Sequence, residues 1–178
     1  MLSPPLPDAA ETRANATFDA ILWALSRPGL PRALPEAGEG VLIEALLDRE
    51  CQVYAGDPLL IPLIGQTGAR LVDIARADHV FLGRLTDLSL LGHCAVGSDL
   101  YPDDGATVVL RASLGSGDSL RLTGPGVNGA VEVQIGGLPG GFWHRRAELL
   151  RYPMGFDLLV LDGDRIIGLP RSTSIEVL

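Results

Sequence analysis

The chain has 178 residues, 47% of them apolar, and its 22 acidic and 14 basic side chains give a formal net charge of −8 and a pI near 4.7. That size suits one domain with a substantial core, and residues 1–178 are read as a single unit. The acidic balance excludes the basic stripe with which nucleic-acid-binding proteins displace counterions, so an anionic ligand has to be met by a local arginine cluster.

Asp8 and Glu11 form a capping-box pattern that opens a helix over residues 8–27, with Ala14, Phe18, Ile21, Leu22 and Leu25 expected on its buried face and Pro28-Gly29 stopping it. A Pro- and Gly-rich connector leads to a helical pattern at Val41–Leu47, a short strand at Cys51–Ala55 and a helix over Leu59–Gln66 that must accommodate Pro62. Residues 70–93 combine a strand at His79–Leu82 with a helix at Leu85–His93. From Thr107 the period falls to two: Val108, Leu110, Ala112 and Leu114 alternate with Val109, Arg111 and Ser113, and Leu120 and Leu122 with Arg121 and Thr123, as in half-buried strands. A second alternating run, Ala130–Ile135, follows a Gly-rich turn. Trp143, Ala147 and Leu150 share one face of a helix that ends before Pro153. Phe156–Leu161, apolar but for Asp157 and closed by Asp162, reads as a strand buried on both faces. Asp162-Gly163 turns it into a hairpin with Ile166–Leu169, and Ile175 and Val177 mark a last short strand. The fold class is α/β: one domain with a mixed sheet flanked by helices, without regular βαβ alternation.

Gly124-Pro-Gly126-Val-Asn-Gly129 follows a strand and matches the dinucleotide fingerprint G-x-G-x-x-G. That fingerprint has to open a helix whose amino end receives a pyrophosphate, whereas Ala130–Ile135 alternates with period two. A tight turn between strands is the favoured reading, with docking of a ligand or partner at Gly124 and Gly126 as the alternative. His93-Cys94 joins two potentially reactive groups, but helix neighbours point about 100° apart, and a buried helix end is the better reading. Arg145, Arg146 and Arg151 form either a solvated face or an anion- or partner-binding cluster. In Pro170-Arg171-Ser172-Thr173 an arginine fork and two hydroxyls could grip phosphate or carboxylate. Alternatively, Arg171 pairs with Asp157 or Asp162 while Thr173 satisfies backbone ends. No catalytic triad, carboxylate dyad or metal-ligand spacing is present, so no catalytic or metal-binding residue is assigned.

All fourteen basic residues are Arg. Without lysine the chain cannot hold pyridoxal phosphate as a Schiff base, build a P-loop or use a lysine base. Two distant cysteines, Cys51 and Cys94, suggest neither a disulfide framework nor a zinc site. With no leader pattern and no membrane-length apolar run, a cytoplasmic protein is expected.

The segments S26-R-P-G29, L120-R-L-T-G-P-G126, Y152-P-M-G-F-D157, L158-L-V-L-D-G163 and G168-L-P-R-S-T173, in this order and spacing, resemble the PhnH-type subunit of bacterial carbon-phosphorus lyase. The resemblance implies a shortened pyridoxal phosphate-dependent transferase fold without the cofactor. It also implies work inside an assembly with PhnG-, PhnI- and PhnJ-type subunits, in which a phosphonate replaces the adenine of ATP to give a ribose 1-phosphonate 5-triphosphate. ATP is then a substrate of the complex, and the isolated chain is expected to be a noncatalytic homodimer. The family pattern has Thr-Thr after its Pro-Arg; here Ser172-Thr173 keeps both hydroxyls. The partner- or ligand-binding candidates are Arg171, Ser172, Thr173, Gly124, Gly126 and Asp157. The reading from a different class is a free-standing small-molecule enzyme or binding protein that uses Arg171 and nearby hydroxyls on a phosphorylated ligand.

Overall fold

A computed structural model describes residues 6–178; residues 1–5, on which part of the leader reading rests, lie outside the described residues. The first helix, α1 (Ala9–Ser26), starts with the expected capping box: the Glu11 amide donates to Asp8 Oδ1 at 2.8 Å and the Asp8 amide to Glu11 Oε2 at 2.9 Å. Its buried face differs from expectation. Thr17, Ala20, Ile21 and Ala24 face inward while Phe18 and Leu22 stay 46% and 52% exposed. Ala20 and Ala24 let the helix lie close to the sheet, so the inward stripe Thr17, Ala20, Ile21 and Ala24 at i, i+3, i+4, i+7 carries Ile21 as its one large apolar side chain, and Phe18 and Leu22 point outward.

Two short helices join α1 on the same side of the sheet, α2 (Gly40–Leu46) and α3 (Ile61–Thr67). Pro62 falls in the first turn of α3, where a missing N–H costs nothing, and Asp57 caps the preceding 3-10 turn by accepting from the Leu59 amide at 3.0 Å.

The main sheet contains β1 (Arg32–Ala33), β2 (Gln52–Ala55), β3 (Arg70–Leu71), β4 (His79–Arg84), β5 (Thr107–Arg111), β8 (Asp157–Asp162) and β9 (Arg165–Leu169), in the order β1-β9-β8-β5-β4-β2-β3. Pairings from β3 through β8 are parallel, and β9 and β1 add antiparallel strands. A smaller antiparallel sheet, β10-β6-β7, comprises β6 (Ser113–Thr123), β7 (Val131–Gly136) and β10 (Ser174–Val177). The mixed sheet flanked by helices is as read from the sequence.

Alternate residues of the central strands feed two cores. Phe81, Val109, Leu159 and Leu161 pack under α1–α3, whereas Val80, Leu82, Val108, Leu110, Leu158 and Val160 pack against the small sheet and helix α4 (Phe142–Leu149). Two expectations change. Residues 107–114 are not one half-buried strand: Val108, Val109 and Leu110 are fully buried, and the chain leaves the main sheet at Ala112 to start β6. The expected α-helix at 85–93 is a 3-10 segment, Leu88–His93, capped by Asp87. The turn-and-hairpin reading of residues 124–135 holds: the loop joins antiparallel β6 and β7 and opens no helix.

Candidate functional site

Asp157 is the first residue of β8, and Arg171 follows β9, whose last residue Leu169 pairs with Leu158. This pairing brings the two charges together. The Asp157 carboxylate accepts from Arg171 Nε at 3.3 Å, Nη2 at 2.7 Å and the Arg171 amide at 2.8 Å. The rest of the guanidinium is occupied by backbone, Nη1 donating to the Pro102 carbonyl and Nη2 to the Gly105 carbonyl at 3.3 Å. Both side chains are largely buried, 15% and 26% exposed. Of the two pairings open in the sequence, the one with Asp157 forms; Asp162 instead accepts from Arg165 at 2.6 Å and from the Leu114 amide at 3.1 Å.

The other candidates converge on the same segment. A Cβ at Gly124, whose φ is +126°, would lie 2.8 Å from the Ser172 carbonyl oxygen, and one at Gly126, with φ +80°, would strike the Ser26 carbonyl. Both therefore serve as close-packing positions between the β6–β7 loop, the end of α1 and the 172–173 backbone. Ser172 is half-buried. Thr173 is buried, its amide donates to the Pro170 carbonyl at 2.9 Å, and its Oγ1 has no partner among the described residues.

Beside this segment, α4 forms one wall of a groove of about 280 Å³ whose lining includes Trp143, Arg146, Leu150, Tyr152, Arg171 and Thr173. Of the three arginines read as one cluster, Arg145 pairs with Glu148 at 3.0 Å and Arg151 is exposed, while Arg146 is only 3% exposed. Its guanidinium donates to the carbonyls of Pro170 at 2.9 Å, Leu169 at 3.3 Å and Thr173 at 3.4 Å. Burial pushes its pKa down to about 10, which leaves it charged at neutral pH. A signal for this burial lay in the sequence: Arg146 occupies the i+3 place on the stripe of Trp143, Ala147 and Leu150.

The groove sits at the amino-terminal edge of the parallel strands, whereas ligands of open α/β sheets usually enter at the carboxyl edge, near a reversal of strand order. At that opposite edge β3 and β4 lie on either side of β2, and Asp57 follows β2. Arg111, the last residue of β5, donates to Glu39 Oε1 and Asp57 Oδ2, both at 2.5 Å. The Leu59 amide and the Arg111 guanidinium hold the Asp57 carboxyl below its ordinary pKa. Sequence reasoning missed this triad because residues far apart in the chain compose it.

The buried helix-end reading of His93-Cys94 holds for Cys94 only: Cys94 is buried but His93 is exposed, and burial raises the Cys94 thiol to about 12, far from a reactive thiolate. Among the described residues, no three His, Cys, Asp or Glu side chains cluster as a metal site, and no helix is long and apolar enough to cross a membrane.

Comparison with known proteins gives a consistent answer over the length of the chain. The family described as bacterial phosphonate metabolism protein (PhnH) matches residues 8–176. A Stutzerimonas stutzeri protein whose name assigns it as C-P lyase subunit protein HtxG is 33% identical over 175 residues, covering 93% of this chain and 87% of its own. The alpha-D-ribose 1-methylphosphonate 5-triphosphate synthase subunit PhnH of Rhizobium meliloti (strain 1021) is 25% identical over 183 residues, covering 92% of this chain and 90% of its own. With the five segments read from the sequence all inside the matched range, the chain belongs to the PhnH family of bacterial phosphonate metabolism proteins.

Proposed function

We propose that this chain is a subunit of the carbon-phosphorus lyase system of organophosphonate catabolism. There it supports the transfer of a phosphonate onto the ribose of ATP with release of adenine. The family match across residues 8–176, joined to relatives named as subunits of this system, carries the reading. In this reading PhnG-, PhnI- and PhnJ-type subunits are the partners and the assembly, a transferase, performs the chemistry.

The isolated chain is inactive in this account, and its geometry supports that. Arg171 is committed to Asp157 and to backbone, and Cys94 is too buried to serve as a nucleophile. The α/β architecture is compatible with descent from pyridoxal phosphate-dependent transferases, and a chain without lysine holds no such cofactor covalently. We also place the protein in the cytoplasm and expect a homodimer when it is alone, since two-fold pairing is the commonest assembly and Phe18 and Leu22 lie exposed on one helix.

The direct test is affinity capture of the purified chain with co-expressed PhnG- and PhnI-type subunits. Stoichiometric recovery of the partners supports the subunit reading; a chain that never co-purifies with them removes it.

A further inference from the structure

Four buried side-chain polar atoms lack a hydrogen-bond partner among the described residues: His79 Nδ1, Trp143 Nε1, Arg146 Nε and Thr173 Oγ1. Three of the four belong to residues that line the single groove between α4 and the 169–175 segment. Buried orphans cost stability and are uncommon, so their concentration in one place calls for a shared partner. The Trp143 indole and the Arg146 Nε are donors only, and the Thr173 hydroxyl can donate. The missing occupant is therefore rich in acceptors.

Charge narrows its identity. The hydrogen-bond partners of Arg146 are three neutral carbonyls, and Asp157, the carboxylate that acts on it electrostatically, is spent on Arg171. Among the described residues the groove thus retains a buried positive charge without a carboxylate of its own, in a protein of net charge −8. A water molecule could satisfy the orphan donors but could not balance that charge.

We propose that the groove between α4 and residues 169–175 is an oxyanion site in which Trp143 Nε1, Arg146 Nε and Thr173 Oγ1 donate to a phosphate- or phosphonate-type group. The site stands on this geometry alone and rests on the subunit reading only for the identity of the physiological oxyanion. The orphan atoms are buried and their residues line the groove, so binding includes an adjustment of these side chains, for Thr173 a change of rotamer.

The experiment uses inorganic phosphate, with sodium chloride at matched ionic strength and acetate as comparison arms. Binding is followed by NMR of the two indole N–H signals. Trp23, stacked against Arg27 and Arg32, reports nonspecific anion binding at a surface arginine pair. The expected result is a saturable shift of the Trp143 signal at about 1 mM phosphate or below, with Trp23 and the chloride arm unchanged. A smaller acetate response indicates preference for the tetrahedral anion; an equal one corrects the ligand class to carboxylates and overturns the proposal in its stated form.

Thr173→Val separates a binding site from architecture. Removing an unpartnered buried hydroxyl leaves the unliganded fold as stable as before or more so, yet weakens phosphate binding about tenfold. Arg146→Lys, which keeps the charge but loses the fork, weakens binding as well. A Trp143 signal unmoved by about 50 mM phosphate, or an affinity untouched by Thr173→Val, overturns the proposal. Because the measurement uses the isolated chain, its failure leaves the capture experiment with partner subunits unaffected, and the reverse also holds.

Discussion

Arg171 and Asp157 form a two-pronged ion pair at 2.7 and 3.3 Å, closed by a third bond from the Arg171 amide to the same carboxylate at 2.8 Å. The pair fastens the segment after β9 to the start of β8, and the carbonyls of Pro102 and Gly105 tie in the loop before β5. Arg171→Ala therefore strands a mostly buried carboxylate and frees two loops, costing on the order of 3 kcal/mol. Thermal unfolding checks this. A melting temperature within a degree or two of wild type, with partner capture lost, would instead make Arg171 a recognition residue.

Gly126 tests the meeting of the family segments. Its positive φ and its contact with the Ser26 carbonyl leave no room for a side chain, so Gly126→Ala should destabilise by about 2 kcal/mol or more. Gly129, also at positive φ but with open space around it, should lose only the conformational part, about 1 kcal/mol. Urea unfolding of both variants gives the comparison, and equal losses would contradict the packing explanation.

His79 gives the fold an acid-side sensitivity. Burial lowers its pKa in the folded state, and Asp78 and Asp48 only partly offset that effect. The unfolded chain then binds its proton first as pH falls, so stability present above about pH 6.5 is lost as pH drops through the folded pKa. Replacing His79 with Asn should remove that component: the difference in stability between wild type and variant changes between pH 7 and pH 5. A pH-independent difference would contradict it.

The homodimer prediction is checked by light scattering across a concentration series. Replacing Phe18 and Leu22 with Ser should shift the protein to monomer while leaving its melting temperature nearly unchanged, because both side chains are half-exposed in the single chain. A wild-type protein that is monomeric at every concentration would remove the claim.

Much of the fold was legible in local chemistry. The Asp8–Glu11 capping box, the apolar run of β8 and the Asp162-Gly163 hairpin follow from short-range rules, and each forms as read. The failures arise where tertiary context overrides a pattern. Val108–Leu110 is buried on both faces because parallel neighbours flank β5, which alternation alone cannot reveal. Phe18 and Leu22 are turned outward because small residues set the approach of α1. At the site, Arg171 and Asp157 were nameable in advance but their choice of each other depended on the β8–β9 register. The Arg111–Glu39–Asp57 triad was out of reach, since its members meet only through the sheet topology.

The central claim is that this chain acts as a subunit of a phosphonate ribosyl-transfer assembly. The most direct measurement is adenine release from ATP and methylphosphonate by reconstituted PhnG- and PhnI-type subunits with their ATP-binding-cassette-like partner, assayed with and without this chain. The account predicts release only when this chain is included, and none from the chain alone. Full activity in its absence, or adenine release by the isolated chain, would contradict it.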